Sequence, residues 1–130
     1  MFNSSLSSHR PWVNLSHYGS AKAALNQFTR IAAMEEAKNG IRINSVNPGV
    51  IITPIHNKAI YGDKEGMSLD QMRVAMKDLQ PTGRCGEPED IAKLFLFIAL
   101  DKNMTGSVVN SDAGSSLMTF GANPENVLPH

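Results

Sequence analysis

Residues 41–53 read Ile41-Arg42-Ile43-Asn44-Ser45-Val46-Asn47-Pro48-Gly49-Val50-Ile51-Ile52-Thr53. The start is short and β-branched, and Asn47-Pro48-Gly49 ends it abruptly, so a strand over 41–46 and then a sharp turn are predicted. Upstream, residues 17–38 carry Ala21, Ala24, Leu25, Phe28, Ile31 and Ala32. That is the i, i+3, i+4, i+7 spacing of an amphipathic helix. Ser16 is a candidate N-cap, and Gly40 stands just past the last turn, where glycine is favoured.

Further along, Ser68-Leu69-Asp70-Gln71 opens a predicted helix that carries Met72, Ala75, Met76 and Leu79 and stops at Pro81. A second begins at Pro88, with Pro at the first helical position and Glu89 and Asp90 near the positive helix end. From Ile91 to Leu100 it is apolar almost all round. Such a helix needs two apolar neighbours, one of which a second subunit could supply. Residues 106–110 read as a short strand. The Ser-rich stretch 1–14, with Pro11, reads as a loop following a strand end, and the chain after Phe120 reads as an irregular tail. Alternation of helix and strand points to the α/β class with a parallel sheet. Two or three strands are few for a stable open sheet.

A length of 130 residues suits one domain. Twelve Lys and Arg balance twelve Asp and Glu, which leaves no basic footprint for nucleic acid or a membrane surface. The single cysteine, Cys85, excludes an internal disulfide and a cysteine-cluster zinc site. His9, His56 and His130 show no metal-ligand spacing. The longest apolar run, Leu94 to Leu100, is too short to span a bilayer. A soluble, cytoplasmic chain is expected.

The chemistry centres on Tyr18-Gly19-Ser20-Ala21-Lys22. Four residues apart on a helix, Tyr18 and Lys22 share a face. A free phenol titrates near pH 10, too high for acid–base work at neutral pH. A fixed cation beside a phenol stabilises the phenolate. By itself the pair is common on helices; its surroundings decide.

With Ala23-Ala24 following, the run resembles the Tyr-x-Ala/Ser-x-Lys-Ala-Ala of the short-chain dehydrogenase/reductase family. Asn44-Ser45-Val46-Asn47-Pro48-Gly49-Val50-Ile51-Ile52-Thr53 is similar to that family's Asn-x-Val-x-Pro-Gly-x-Val/Ile-x-Thr. Gly83-Arg84-Cys85-Gly86-Glu87-Pro88-Glu89-Asp90-Ile91-Ala92 is similar to its Gly-Arg-x-Gly-x-Pro-x-Asp/Glu-Ile-Ala. Thr105-Gly106 to Asp112-Ala113-Gly114 is similar to its Thr-Gly-x5-Asp-Gly-Gly, departing at Ala113. The four segments occur in family order, and the resemblance covers nearly residues 3–118.

The resemblance implies the C-terminal half of a Rossmann-type doubly wound parallel sheet, incomplete here, over residues 1–120, with 121–130 as tail. It implies hydride transfer between NAD or NADP and an alcohol or carbonyl substrate. Tyr18 would be the acid–base group, Lys22 would support it and hold the nicotinamide ribose, and Ser5, thirteen residues before Tyr18, would bond the substrate oxygen. Pro48, Gly49 and Ile51 would line the nicotinamide, and Thr53 would approach the phosphates. Arg84 and Asp112 would be structural. Tyr61, Met67, Met72 and Met76 fall in the substrate-covering segment, with helix packing as the alternative. His17 reads as a surface residue. A homo-oligomer is implied for the full-length parent, with subunits paired through the Tyr-x-x-x-Lys helix and the last helix and strand. The family's Thr-Gly-x-x-x-Gly-x-Gly turn does not occur in these residues, so weak dinucleotide binding by this chain alone is expected. The alternative reading is a truncated, non-catalytic fragment or isoform lacking the dinucleotide-binding half, acting if at all through oligomerisation.

Overall fold

The computed structural model describes residues 1–55 and 66–118. Tyr61, His56, His130 and the expected tail lie outside the described residues. The order is β1 (Phe2–Asn3), a 3-10 turn (Leu6–Ser8), α1 (Ser16–Glu36), a 3-10 turn (Ala37–Asn39), β2 (Ser45–Pro48), α2 (Leu69–Met76), a 3-10 turn (Lys77–Leu79), α3 (Pro88–Leu100), β3 (Val108–Ser111) and a final 3-10 turn (Ser115–Leu117). The class is α/β, with three parallel strands among the described residues, ordered β1-β2-β3 in an open sheet. Phe2 pairs with Ser45, and Val46 with Val109.

Several expectations shift. The strand predicted over 41–46 forms at Ser45–Pro48. Residues 42–44 are held by other means. Arg42 donates to the carbonyls of Ile98, Ala99 and Met104, Ile43 N–H donates to Thr105 Oγ1, and Asn44 donates to Met104 O. The stretch read as a loop begins with strand β1, which bonds through Phe2 N–H to Asn44 O and is followed by Ser4 N–H to Val46 O. Ser16 is the first residue of α1 rather than its cap; Leu15 takes the cap position without a side-chain bond. Gly40 ends the following turn at φ 72°, as expected of a left-handed terminator.

The apolar stripe of α1 is the larger correction. Its buried residues are Asn26, Thr29, Ala32 and Ala33, whereas Phe28 and Ile31 are about half exposed. Phe28 keeps one edge-on contact, 5.7 Å between ring centroids, with Phe2. Helix α3 also packs on one side. Ile91 and Ile98 are buried with Val46, flanked by Leu94, Phe95, Met104 and Val109, while Leu96, Phe97 and Leu100 face outward. A second core joins Ile52, Met72 and Cys85, with Val50 and Met76 against it. Met72 is buried in this core and Met76 packs against it, which is the helix-packing alternative for these two residues. Burying a side chain such as Ile98 fully contributes roughly 1.5–3 kcal/mol. Among the described residues no helix is long and apolar enough to cross a membrane, and no cluster of metal-ligating side chains forms.

Candidate active site

The first turns of α1 lie directly on the segment after β1. A Cβ at Gly19 would stand 2.9 Å from the Ser7 carbonyl oxygen, so glycine permits this approach. Lys22 Nζ donates to the Asn3 carbonyl at 2.8 Å and sits 5.5 Å from the centroid of the Tyr18 ring. Ser4, buried, donates through Oγ to the Lys22 carbonyl at 3.1 Å. Ser5 is extended and caps the next turn, its Oγ accepting from Ser7 N–H at 3.1 Å. That bond occupies a lone pair and leaves the hydroxyl proton free to be donated. Tyr18, Lys22 and the end of β1 thus form a three-part arrangement. His17 is exposed.

The second group of site residues follows β2. Gly49 N–H donates to Ser111 O at 3.0 Å, and a Cβ at Gly49 would fall 2.7 Å from the Asp112 Cα. The turn therefore needs glycine for backbone contact with the loop after β3. Ile51 forms a parallel bridge with Gly86, where a Cβ would meet the Ile51 Cδ1 at 2.5 Å. Thr53 Oγ1 bonds the Ile51 carbonyl at 3.4 Å. Because β1 and β2 are adjacent and parallel, Ser5 and Pro48-Gly49 both leave the carboxyl edge of the sheet. That edge is where open α/β sheets bind ligands.

Electrostatics around this frame are structural. Arg84 pairs with Asp90 at 2.9 Å, and Asp90 also caps α3 by accepting from Glu87 N–H. The Arg84 bond, then the Glu87 N–H, hold the Asp90 carboxyl down at about 2. The Arg73 guanidinium bonds Glu87 at 2.7 Å and lowers its carboxyl likewise. Burial pushes the Asp112 carboxyl up, but bonds from Ser116 and Gly114 outweigh it and leave it lowered. Burial raises the Cys85 thiol.

Two shallow clefts flank the site. One, about 440 Å³, is lined by Ser7, His9, Trp12, Leu15, Gly19 and Ser20 among others. The other, about 310 Å³, is lined by Val50, Ile51, Arg84, Asp112 and Ala113 among others. Neither includes Tyr18, Lys22 or Ser5; Tyr18 stands 37% exposed on an open face. Sequence reasoning passed over Ser4 and Asn26. Ser4 was hidden in a serine run, and the only signal for Asn26 was a polar residue on an otherwise apolar helix.

The family model described as Enoyl-(Acyl carrier protein) reductase matches residues 1–116. This chain belongs to the short-chain dehydrogenase/reductase family. An uncharacterized oxidoreductase, YxbG of Bacillus subtilis, is 37% identical over 119 residues, covering 90% of this chain and 43% of that protein. A short-chain dehydrogenase/reductase of Caenorhabditis elegans, solved with cofactor, superposes with TM-score 0.79 at 32% identity, covering 90% of this chain and 45% of that one. A small-chain dehydrogenase solved in complex with NADPH superposes with TM-score 0.74 at 29% identity, covering 89% and 50%. The chain therefore spans half or less of the length of these relatives.

Proposed function

We propose that this chain carries the acid–base and nicotinamide-side portion of an NAD(P)-dependent oxidoreductase site acting on an alcohol or carbonyl substrate. The carrying observation is the Lys22 ammonium, held between the Tyr18 ring and the Asn3 carbonyl two residues before Ser5. Within this reading residues 1–120 form the C-terminal half of the family's domain, and the location is cytoplasmic.

The residues present fit the nicotinamide and ribose end of a dinucleotide. An ammonium has three donors, and among the described residues Asn3 takes one, which leaves two for ribose hydroxyls. Pro48, Gly49 and Ile51 offer a turn at the sheet's carboxyl edge that would line the nicotinamide, and Thr53 would approach the phosphates. When bound, NAD or NADP would supply or accept the hydride. Tyr18 passes a proton to or from the substrate oxygen. Lys22 stabilises negative charge on the Tyr18 oxygen, and the Ser5 hydroxyl donates to the substrate oxygen and fixes its direction.

The test is titration of the 130-residue protein with NADH and NADPH, followed by cofactor fluorescence, then turnover with a panel of small alcohols and carbonyls. In a full-length parent that carries the dinucleotide-binding half, Tyr18→Phe should lower turnover by on the order of 10²–10⁴ while cofactor binding persists. Near-normal turnover refutes the role given to Tyr18. One observation favours a second reading, a non-catalytic chain that self-associates: Phe28, Ile31 and Met34 on α1 and Leu96, Phe97 and Leu100 on α3 are exposed. Absence of cofactor binding together with a sedimenting oligomer supports it.

A further inference from the structure

A helix interior is a poor place for a buried asparagine unless both ends of its amide are satisfied. Asn26 in α1 is 6% exposed, and both ends are satisfied. Its Oδ1 accepts from Ser45 Oγ of β2 at 3.2 Å, and its Nδ2 donates to Ser8 Oγ at 2.8 Å. Ser8 in turn bonds His9 Nδ1 at 3.1 Å. Asn26 therefore joins three separate pieces: the helix bearing Tyr18 and Lys22, the central strand, and the turn that follows Ser5. Residues 18, 22 and 26 lie one helical step of four apart, so they share a face. One turn before Asn26, Ser4 Oγ holds the Lys22 carbonyl and Lys22 Nζ holds the Asn3 carbonyl. A rotation of α1 about its axis would break all of these at once.

We infer that Asn26 is a positioning residue that fixes the rotation and register of α1, so that the helix face carrying Tyr18 and Lys22 meets the end of β1 and Lys22 Nζ reaches the Asn3 carbonyl. This rests on the acid–base reading above for its functional meaning, but not for its geometry. Asn26 touches none of the reacting groups. It acts through Ser8 and Ser45, whose bonds to it are side chain to side chain and so depend on its amide rather than on helix propensity. Truncation leaves the buried Ser45 hydroxyl without its acceptor, and Ser8 without its donor.

The test uses the 130-residue protein, isotopically labelled, and four variants: Asn26→Leu, Ser8→Ala, their double, and Lys22→Ala. Two signals are followed by NMR. One is the pH dependence of the Tyr18 ring carbons, and the other is the cross-peak between the Lys22 ε-protons and Asn3. The expected result is that Asn26→Leu weakens the Lys22–Asn3 cross-peak severalfold. Ser8→Ala, on the outer side of the clasp, should do the same in smaller measure even if Asn26→Leu fails to fold. The double variant should add nothing to Asn26→Leu. A full cross-peak in both single variants overturns the inference, as does strict additivity. A Tyr18 curve unchanged by Lys22→Ala sinks the acid–base reading instead, and the cross-peak still decides the role of Asn26.

Discussion

The two faces of β2 are built from opposite materials. On one, Val46 is fully buried against Ile91 and Ile98 of α3. On the other, Ser45 and Asn47, also buried, meet polar partners: Ser45 bonds Asn26 of α1, and Asn47 bonds Asn110 of β3 at 3.0 Å. The apolar face gains free energy from burial, which is strong but non-directional. The polar face gains little net, yet its hydrogen bonds are directional and penalise misplacement. The candidate site hangs from the polar side, on α1. The contrast suggests that stability is concentrated on the α3 side and geometry on the α1 side.

The largest break in this contrast should come from Ile98→Ala, which opens a cavity at a fully buried position. A loss of about 2–5 kcal/mol in urea unfolding is expected. Arg42→Gln comes next. It removes a guanidinium that closes the C-terminal carbonyls of α3, and about 2 kcal/mol should be lost. Ser45→Ala, on the polar face, should cost only about 1 kcal/mol. Should it cost as much as Ile98→Ala, the division between the two faces is wrong.

Ala113→Gly should stabilise by about 1 kcal/mol, because Ala113 sits at φ 53°, where a Cβ is strained. This is the position at which the Asp-Gly-Gly pattern is broken, so a thermal midpoint that falls would assign Ala113 another role. The smallest effect concerns acid. Asp90 titrates near 2 when folded, below its ordinary 3.8, so its contribution is complete above that ordinary value. It is lost as pH falls through about 2, and Asp90→Asn should flatten the stability curve in that window.

Legibility followed the range of the forces involved. Tyr18 and Lys22 were readable because the helical repeat alone puts them on one face. The Pro48-Gly49 turn was readable because proline and glycine act on their own backbone. The buried face of α1 was not: of the periodic stripe, Ala32 is buried but Phe28 and Ile31 are about half exposed, and the polar Asn26 and Thr29 are buried instead. Periodicity shows that a helix has an apolar side, but not what neighbour is present to cover it.

Sequence by itself determined the α/β class, the helices of α1 and α3, the glycine-terminated turns and the ordered motifs, all of which arise from interactions within a few residues. The tertiary structure alone decided that residues 2–3 form a strand, that β2 begins at Ser45, and that Ser4 and Asn26 bracket Lys22. Each of these depends on partners eighteen or more positions away, such as Ser4 to Lys22 and Asn26 to Ser45. A hydrogen bond across that separation leaves no periodic trace in the chain, because its geometry exists only after the sheet has brought both ends together.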